Sequence, residues 1–176
     1  MSQCDIIIPV WNQWEATKRC LESIEKNTTY PARLIIIDNA SSDTTAQSLS
    51  DFKTKTTLDV SVVRNQENEG FVKAVNKGAS LSSAEYICIM NNDTIVSKGW
   101  LGEMVAIIEG DPDIGIVNPS SNNLGQHLPK GITLDEHAEN IKSQKGRYTE
   151  LGSALGFCML TKKKIFDKIG PFDEVF

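Results

Sequence analysis

The sequence predicts an α/β domain built on a mostly parallel sheet with helices on both faces, and three observations predict it. Short apolar runs rich in β-branched residues recur at 6–10, 34–37 and 86–90, the pattern of strands buried on both faces. Between them lie segments whose apolar residues are spaced for helices. Each run also ends on a polar cluster, "PVWN" at 9–12, "DNASSD" at 38–43 and "NNDT" at 91–94. In a parallel sheet all three would open on one edge, at the carboxyl ends of the strands, where such sheets bind ligands.

The elements follow in order. The first run carries Pro9 near its end, and a helix follows it: Asn12 with Glu15 has a capping-box layout, and Cys20, Leu21 and Ile24 form an apolar stripe up to Asn27. The second run leads into 38–43, whose side chains suit a turn and the cap of another short helix. "LDVSVV", 58–63, alternates as a third strand; Phe71, Ala74, Val75 and Ala79 mark a helix face; "YICIM", 86–90, is the fourth strand. Trp100, Leu101, Met104, Val105 and Ile108 then give the clearest helical spacing, closed by Gly110 and Pro112. Residues 119–150 break the rhythm and read as a long functional or mobile loop, since they are polar and without a sustained period. "LGSALGFCMLT" and a short amphipathic helix, "KKKIFDKIG", complete a single domain over 1–176.

Composition bounds the function. The 176 residues are 40% hydrophobic and 23% charged, ordinary for a globular domain, and the net charge of −5 argues against a nucleic-acid partner. Cys4, Cys20, Cys88 and Cys158 form no C-x-x-C pair and read as core residues of a reducing compartment. His127 and His137 lack zinc-ligand spacing and read as surface or loop residues. No apolar run approaches the roughly 20 residues of a membrane span, and no signal-peptide layout opens the chain. The expected location is cytoplasmic, with association at the inner face of the membrane compatible with it.

The polar clusters narrow the chemistry. Neither G-x-G-x-x-G nor G-x-x-x-x-G-K-[ST] occurs, so the common phosphate cradles of dinucleotide enzymes and P-loop enzymes are missing. A diphosphate bound without a glycine cradle needs a cation. Asp93, with Asn91 two residues before it, offers oxygen ligands to Mg²⁺ or Mn²⁺, which take one or two carboxylates together with substrate phosphates and water. Trp11 either stacks on a nucleobase or covers the sheet edge and first helix. Asp38 and Asn39 offer hydrogen bonds to a ribose or a pyrimidine edge, the asparagine as both donor and acceptor. Each cluster alone reads more readily as a turn; their shared edge is what points to a site.

These residues carry a family resemblance. "IIIPVWN", "IIIDNASSD", "NEGFVKAVNKG", "IMNNDT" and "GFCMLTKKKIFDKIGPFDEVF", in this order and spacing, resemble the family 2 glycosyltransferases of the GT-A fold, especially the rhamnosyltransferase-like bacterial branch. That is the Rossmann-like fold of nucleotide-diphospho-sugar transferases. The resemblance spans essentially the whole chain. It implies that Pro9, Trp11 and Asn12 line the base pocket and that Asp38 and Asn39 contact base and ribose, with Asn39 where many relatives carry a second aspartate. Gly70 and Asn76 match recurrent positions beside the nucleotide. Val75 stands where many relatives have arginine, and Lys73 is either a substitute diphosphate contact or a solvated lysine. "NNDT" matches the D-x-D metal motif, with Asn91 first, Asn92 between and Asp93 last.

The implied reaction is metal-dependent, inverting transfer of a sugar from a UDP- or dTDP-sugar to a saccharide or lipid-linked acceptor hydroxyl, in cell-surface polysaccharide synthesis. Direct displacement needs a base for the acceptor proton. The resemblance puts that base in an acidic motif a few residues after "GPFDEVF", so the chain is expected to stop short of it, beyond Phe176; Asp173 and Glu174 are weaker candidates. The alternative is a nucleotide-binding module that lacks catalysis. A nucleotidyltransferase is disfavoured, because no Gly-rich, Arg-containing loop follows the first strand.

Overall fold

A computed structural model describes residues 3–122 and 127–175 of the chain. The elements run β1 (Cys4–Val10), α1 (Trp14–Asn27), β2 (Ala32–Asp38), α2 (Thr45–Lys55), β3 (Asp59–Arg64), α3 (Gly70–Ser80), β4 (Tyr86–Met90), α4 (Trp100–Gly110), β5 (Ile116–Val117), α5 (Leu134–Asn140), β6 (Cys158–Lys162) and α6 (Lys163–Ile169). They build one six-stranded sheet in the order β3-β2-β1-β4-β6-β5. β1 pairs in parallel with β2 and β4, and β2 with β3, so four carboxyl ends share an edge. β6 runs antiparallel to both β4 and β5.

Alternation along the strands divides the core in two. Ile6, Ile8, Val10, Leu34, Ile36, Cys88 and Met90 face α1, α2 and α4, meeting Leu21, Ile24, Leu49, Leu101 and Ile108. Ile7, Ile35, Ile37, Ile87 and Ile89 face the other way, against Ala74, Val75 and Ala79 of α3. Both faces are therefore covered, which is why these strands are apolar at every position. α3 approaches β1 closely through Gly78: a Cβ there would lie 2.4 Å from Ile7 Cγ2. The four cysteines are free and buried, as expected. No helix of the described residues is long and apolar enough to cross a membrane.

The fold corrects three expectations. α1 does not begin in a capping box on Asn12 and Glu15; Gln13, in the left-handed region, stands at its N-cap with no side-chain bond. Asn12 is diverted because the next loop offers it better partners, described below. Phe71 does not join the buried face of α3 but is exposed, while Gly78 takes part in that face. The 119–150 segment contains a capped helix, α5, where Thr133 and Glu136 form the capping box, and a 3-10 turn at Lys142–Gln144. Neither has a buried residue, so apolar periodicity could not announce them. Residues 123–126 of that segment, and Phe176, lie outside the described residues.

Candidate functional site

The strand order reverses between β1 and β4, the position at which sheets of this kind form a ligand crevice outside the carboxyl ends of their strands. Their pairing stops at Ile7↔Ile89, although β1 continues to Val10. Pro9 accounts for this. Gln3 accepts from Tyr86 on the β4 side and Val10 accepts from Asn39 on the β2 side, so alternation turns the backbone of residue 9 toward β4. A proline there has no N–H to give, and the ladder ends. Just beyond it stands Trp11, 55% exposed.

The loops after β1 and β2 brace one another. Asn12 N–H donates to Ser41 Oγ at 2.8 Å and Gln13 N–H to Asp43 Oδ2 at 3.0 Å, while Asn12 Oδ1 accepts from the backbone of Ser42 at 2.7 Å and Asp43 at 3.3 Å. Among the described residues, the three non-glycine residues with positive φ lie here: Asn12 at 57°, Gln13 at 64° and Ala40 at 58°. Backbone in this region is disfavoured and persists where surrounding bonds hold it. Thr45 N–H donates to Asp43 Oδ1 at 2.9 Å, so Asp43 also starts α2. Asp43's carboxyl lies below its usual range, chiefly because of its bonds to Thr45.

Behind these loops, Asp38 is buried. Its carboxylate accepts from Ser41 N–H at 2.9 Å and pairs with Arg64, whose other terminal nitrogen donates to the Ser41 carbonyl at 2.8 Å. Asn39 is buried too. Its Nδ2 donates to Asn68 Oδ1 at 2.8 Å and to the Gly70 carbonyl at 3.0 Å; its Oδ1 accepts from Asn65 Nδ2 at 2.9 Å and Glu69 N–H at 3.1 Å. Asn65 in turn bonds Glu69 and Lys77. Gly70, at φ 82°, begins α3.

The "NNDT" turn after β4 is laid along α1. Asn92 Nδ2 donates to Thr17 Oγ1 at 2.8 Å, Asn91 N–H to the Phe157 carbonyl at 2.9 Å, and Thr94 N–H closes the turn on the Asn91 carbonyl at 3.3 Å. Farther on, Asn27 Nδ2 holds the Val96 carbonyl at 2.8 Å and Ser23 Oγ holds Val96 N–H at 3.2 Å. With its neighbours tied down, Asp93 is left exposed, and its carboxylate has no hydrogen bond or ion pair among the described residues. Oxygen donors on Asp93 and Asn91 suit a hard divalent cation. Among the described residues no three acidic, His or Cys side chains gather into a ready-made metal cage, so a cation here would draw its remaining ligands from substrate phosphates and water.

The other candidate residues are placed differently. Asn76 faces the C-terminal segment: its Nδ2 donates to the Phe172 carbonyl at 2.9 Å and to Glu174 Oε1 at 3.0 Å, and its Oδ1 accepts from Phe172 N–H at 2.9 Å. Asp173 Oδ1 caps Val175 N–H at 2.9 Å. Lys73 is exposed and unpaired among the described residues, whereas Lys77 reaches the Asn65 network. Sequence reasoning missed Arg64, Asn65, Ser41 and Thr17. The first two were findable, since Arg64 ends a fourth parallel strand and Asn65 follows it, so both reach the same edge.

Solved structures share this architecture. The mannosyltransferase PcManGT from Pyrobaculum calidifontis, in complex with GDP-Man and Mn²⁺, superposes with a TM-score of 0.74 at 19% identity, covering 98% of this chain and 48% of that one. Staphylococcus aureus TarS 1-349 in complex with UDP-GlcNAc gives 0.67 at 17% identity, covering 96% and 47%. The architecture is that of a GT-A glycosyltransferase domain. The model of the family "Glycosyl transferase family 2" matches residues 5–170, and the chain belongs to that family. Poly-beta-1,6-N-acetyl-D-glucosamine synthase of Staphylococcus aureus is 30% identical over 172 residues, covering 95% of this chain and 41% of the relative. The Staphylococcus epidermidis enzyme of that name is 30% identical over 174 residues with the same coverage. The chain thus spans less than half the length of these curated relatives.

Proposed function

We propose that the chain binds a nucleotide-diphosphate sugar at the carboxyl edge of its sheet, for transfer of the sugar to an acceptor hydroxyl. The observation that carries this reading is the carboxylate of Asp93, without a partner among the described residues and held at the carboxyl edge by a turn tied down through the Asn92 amide and the backbone of Asn91 and Thr94. In this reading Trp11 stacks on the base, Asp38 acts from behind the pocket by holding Arg64 and Ser41 in place, and Asp93 with the Asn91 amide holds Mg²⁺ or Mn²⁺ against the diphosphate. Such a cation neutralises the negative charge that grows on the departing diphosphate. The protein's own part is orientation: Pro9 opens the crevice, the Asn12–Asp43 brace fixes the base loop, and Thr17 with Asn92 aims the turn.

A UDP- or dTDP-sugar donor, inversion at the sugar carbon and a role in polysaccharide synthesis are the finer parts of the proposal. They rest on the motif resemblance and, for the last, on the curated relatives. The donor is a nucleotide sugar and the acceptor a saccharide or lipid-linked saccharide. The second reading is a nucleotide-binding module without transfer. Both Asp173 and Glu174, the acids considered for the base, already have internal partners.

Titration calorimetry with UDP, dTDP and Mn²⁺ tests the common part: binding that needs the metal and is lost in Asp93→Ala supports the site, and no heat with either nucleotide at millimolar metal refutes it. Release of sugar from a UDP- or dTDP-sugar, absent in Asp93→Ala, separates transferase from binding module.

A further inference from the structure

We propose that Asn39 is a positioning residue, which locks the turn after β3 to the start of α3, and that its side chain takes no part in discriminating between bases. This deepens the nucleotide-site reading and rests on it.

An asparagine amide has two N–H donors and an oxygen with two lone pairs. Here all four capacities are used, by Asn68, Gly70, Asn65 and Glu69. The orientation of the amide is decided by backbone groups that cannot be exchanged: the Gly70 carbonyl can only accept, and Glu69 N–H can only donate. To read the edge of a base, Asn39 would have to release one of these bonds from a buried position, where an unmade bond is costly. The same arrangement explains why an amide, rather than a second carboxylate, stands here. An aspartate could accept from Asn65 and Glu69 but would set an oxygen against Asn68 Oδ1 and the Gly70 carbonyl.

What the lock holds is local and specific. Asn68 Oδ1 also accepts from Gly70 N–H at 3.0 Å, so Asn39, Asn68 and Gly70 close a small ring of bonds around a residue at φ 82°. Asn65, which bridges Asn39 to Glu69, also holds Lys77 one helix turn and more into α3. Asn39 thereby couples the end of β2 to the first two turns of α3, and any effect on a nucleotide passes through that frame.

The test compares UDP, dTDP and GDP, each with Mn²⁺, by calorimetry on the wild-type chain, Asn39→Asp and Asn68→Ala. Asn68 is exposed, so its variant loosens the lock without disturbing the buried residue. The expected result is a weakening of about tenfold for Asn39→Asp, the size of one lost buried bond, and a smaller one for Asn68→Ala. The preference among the three nucleotides stays constant within about twofold. Amide hydrogen exchange on the unliganded chain, run in parallel, should quicken at Gly70 in both variants, since each disturbs the Asn68 oxygen that holds its N–H. A change in the order of preference among the nucleotides in Asn39→Asp would overturn the proposal, and so would unchanged exchange at Gly70. If the wild-type chain binds none of the three, the site reading fails, while the exchange measurement still decides whether Asn39 locks the turn.

Discussion

Asp5 and Asp93 stand at opposite edges of the same sheet and are treated in opposite ways. Asp5, at the amino edge, is fully buried, accepts a two-pronged bond from Arg33 at 2.9 and 2.8 Å, and takes further bonds from Ser82 Oγ at 2.8 Å and the backbone of Ser83 and Ala84. Asp93, at the carboxyl edge, is exposed and has none among the described residues. A carboxylate whose lone pairs are all spent inside the protein ties elements together; one left open at a crevice can hold something that is not protein. The strained backbone follows the same division, since Asn12, Gln13 and Ala40 all lie at the carboxyl edge.

The sharpest way to break this contrast is to remove each carboxylate. Asp93→Ala should lower metal-dependent sugar release on the order of a thousandfold, the scale of losing charge stabilisation in the transition state. Its thermal midpoint should hardly move, because nothing in the fold leans on it; a large drop in stability would mean that Asp93 is structural. Asp5→Ala should do the reverse, costing about 3 kcal/mol in urea unfolding, since it leaves Arg33 and three other donors without their acceptor, while nucleotide affinity in the folded fraction is kept.

Between these comes a packing test of the frame itself. Gly78→Ala would drive a methyl group into Ile7 and should cost about 1–3 kcal/mol, with a loss of nucleotide affinity only if α3 shifts from β1.

Acid titration sharpens the contrast from the amino edge. Burial pushes the Asp5 carboxyl up, but the Arg33 fork and the Ser82 hydroxyl outweigh it and leave it below 3.8. A carboxyl lowered in the folded state stabilises the fold above its unfolded value, and that contribution is lost as pH falls through the folded one. Stability should therefore decline below about pH 3.8, and the decline should be shallower in Asp5→Asn. Equal slopes in the two proteins would show that other carboxylates dominate. The smallest effect is expected from Ser41→Ala, which removes one bond to Asn12 and should cost about 1 kcal/mol, read in calorimetry as a modest weakening of nucleotide binding.

Much of this was legible in the sequence. The apolar runs at 6–10, 34–37 and 86–90 announced strands covered on both faces, and the structure divides their alternate residues between two core clusters. The stripe of Trp100, Leu101, Met104, Val105 and Ile108 is buried in full. Less legible were the short antiparallel β5 and β6, because two or five residues carry little periodicity, and α5, which buries nothing. Its "TLDE" cap at 133–136 was the available signal.

The sequence by itself determined that polar residues would follow the strands and, the strands being parallel, share one edge; side-chain period and helix spacing are local properties that travel with the chain. Only the tertiary structure decided which of those residues face each other and which face outward. Asp38, Asn39 and Asn12 look as available as Asp93 in one dimension, yet their partners Arg64, Asn65 and Ser42 lie 26 to 30 residues away in sequence. A hydrogen bond between separate loops has no local signature. Asp93 is distinguished because none of the described residues offers its carboxylate a partner.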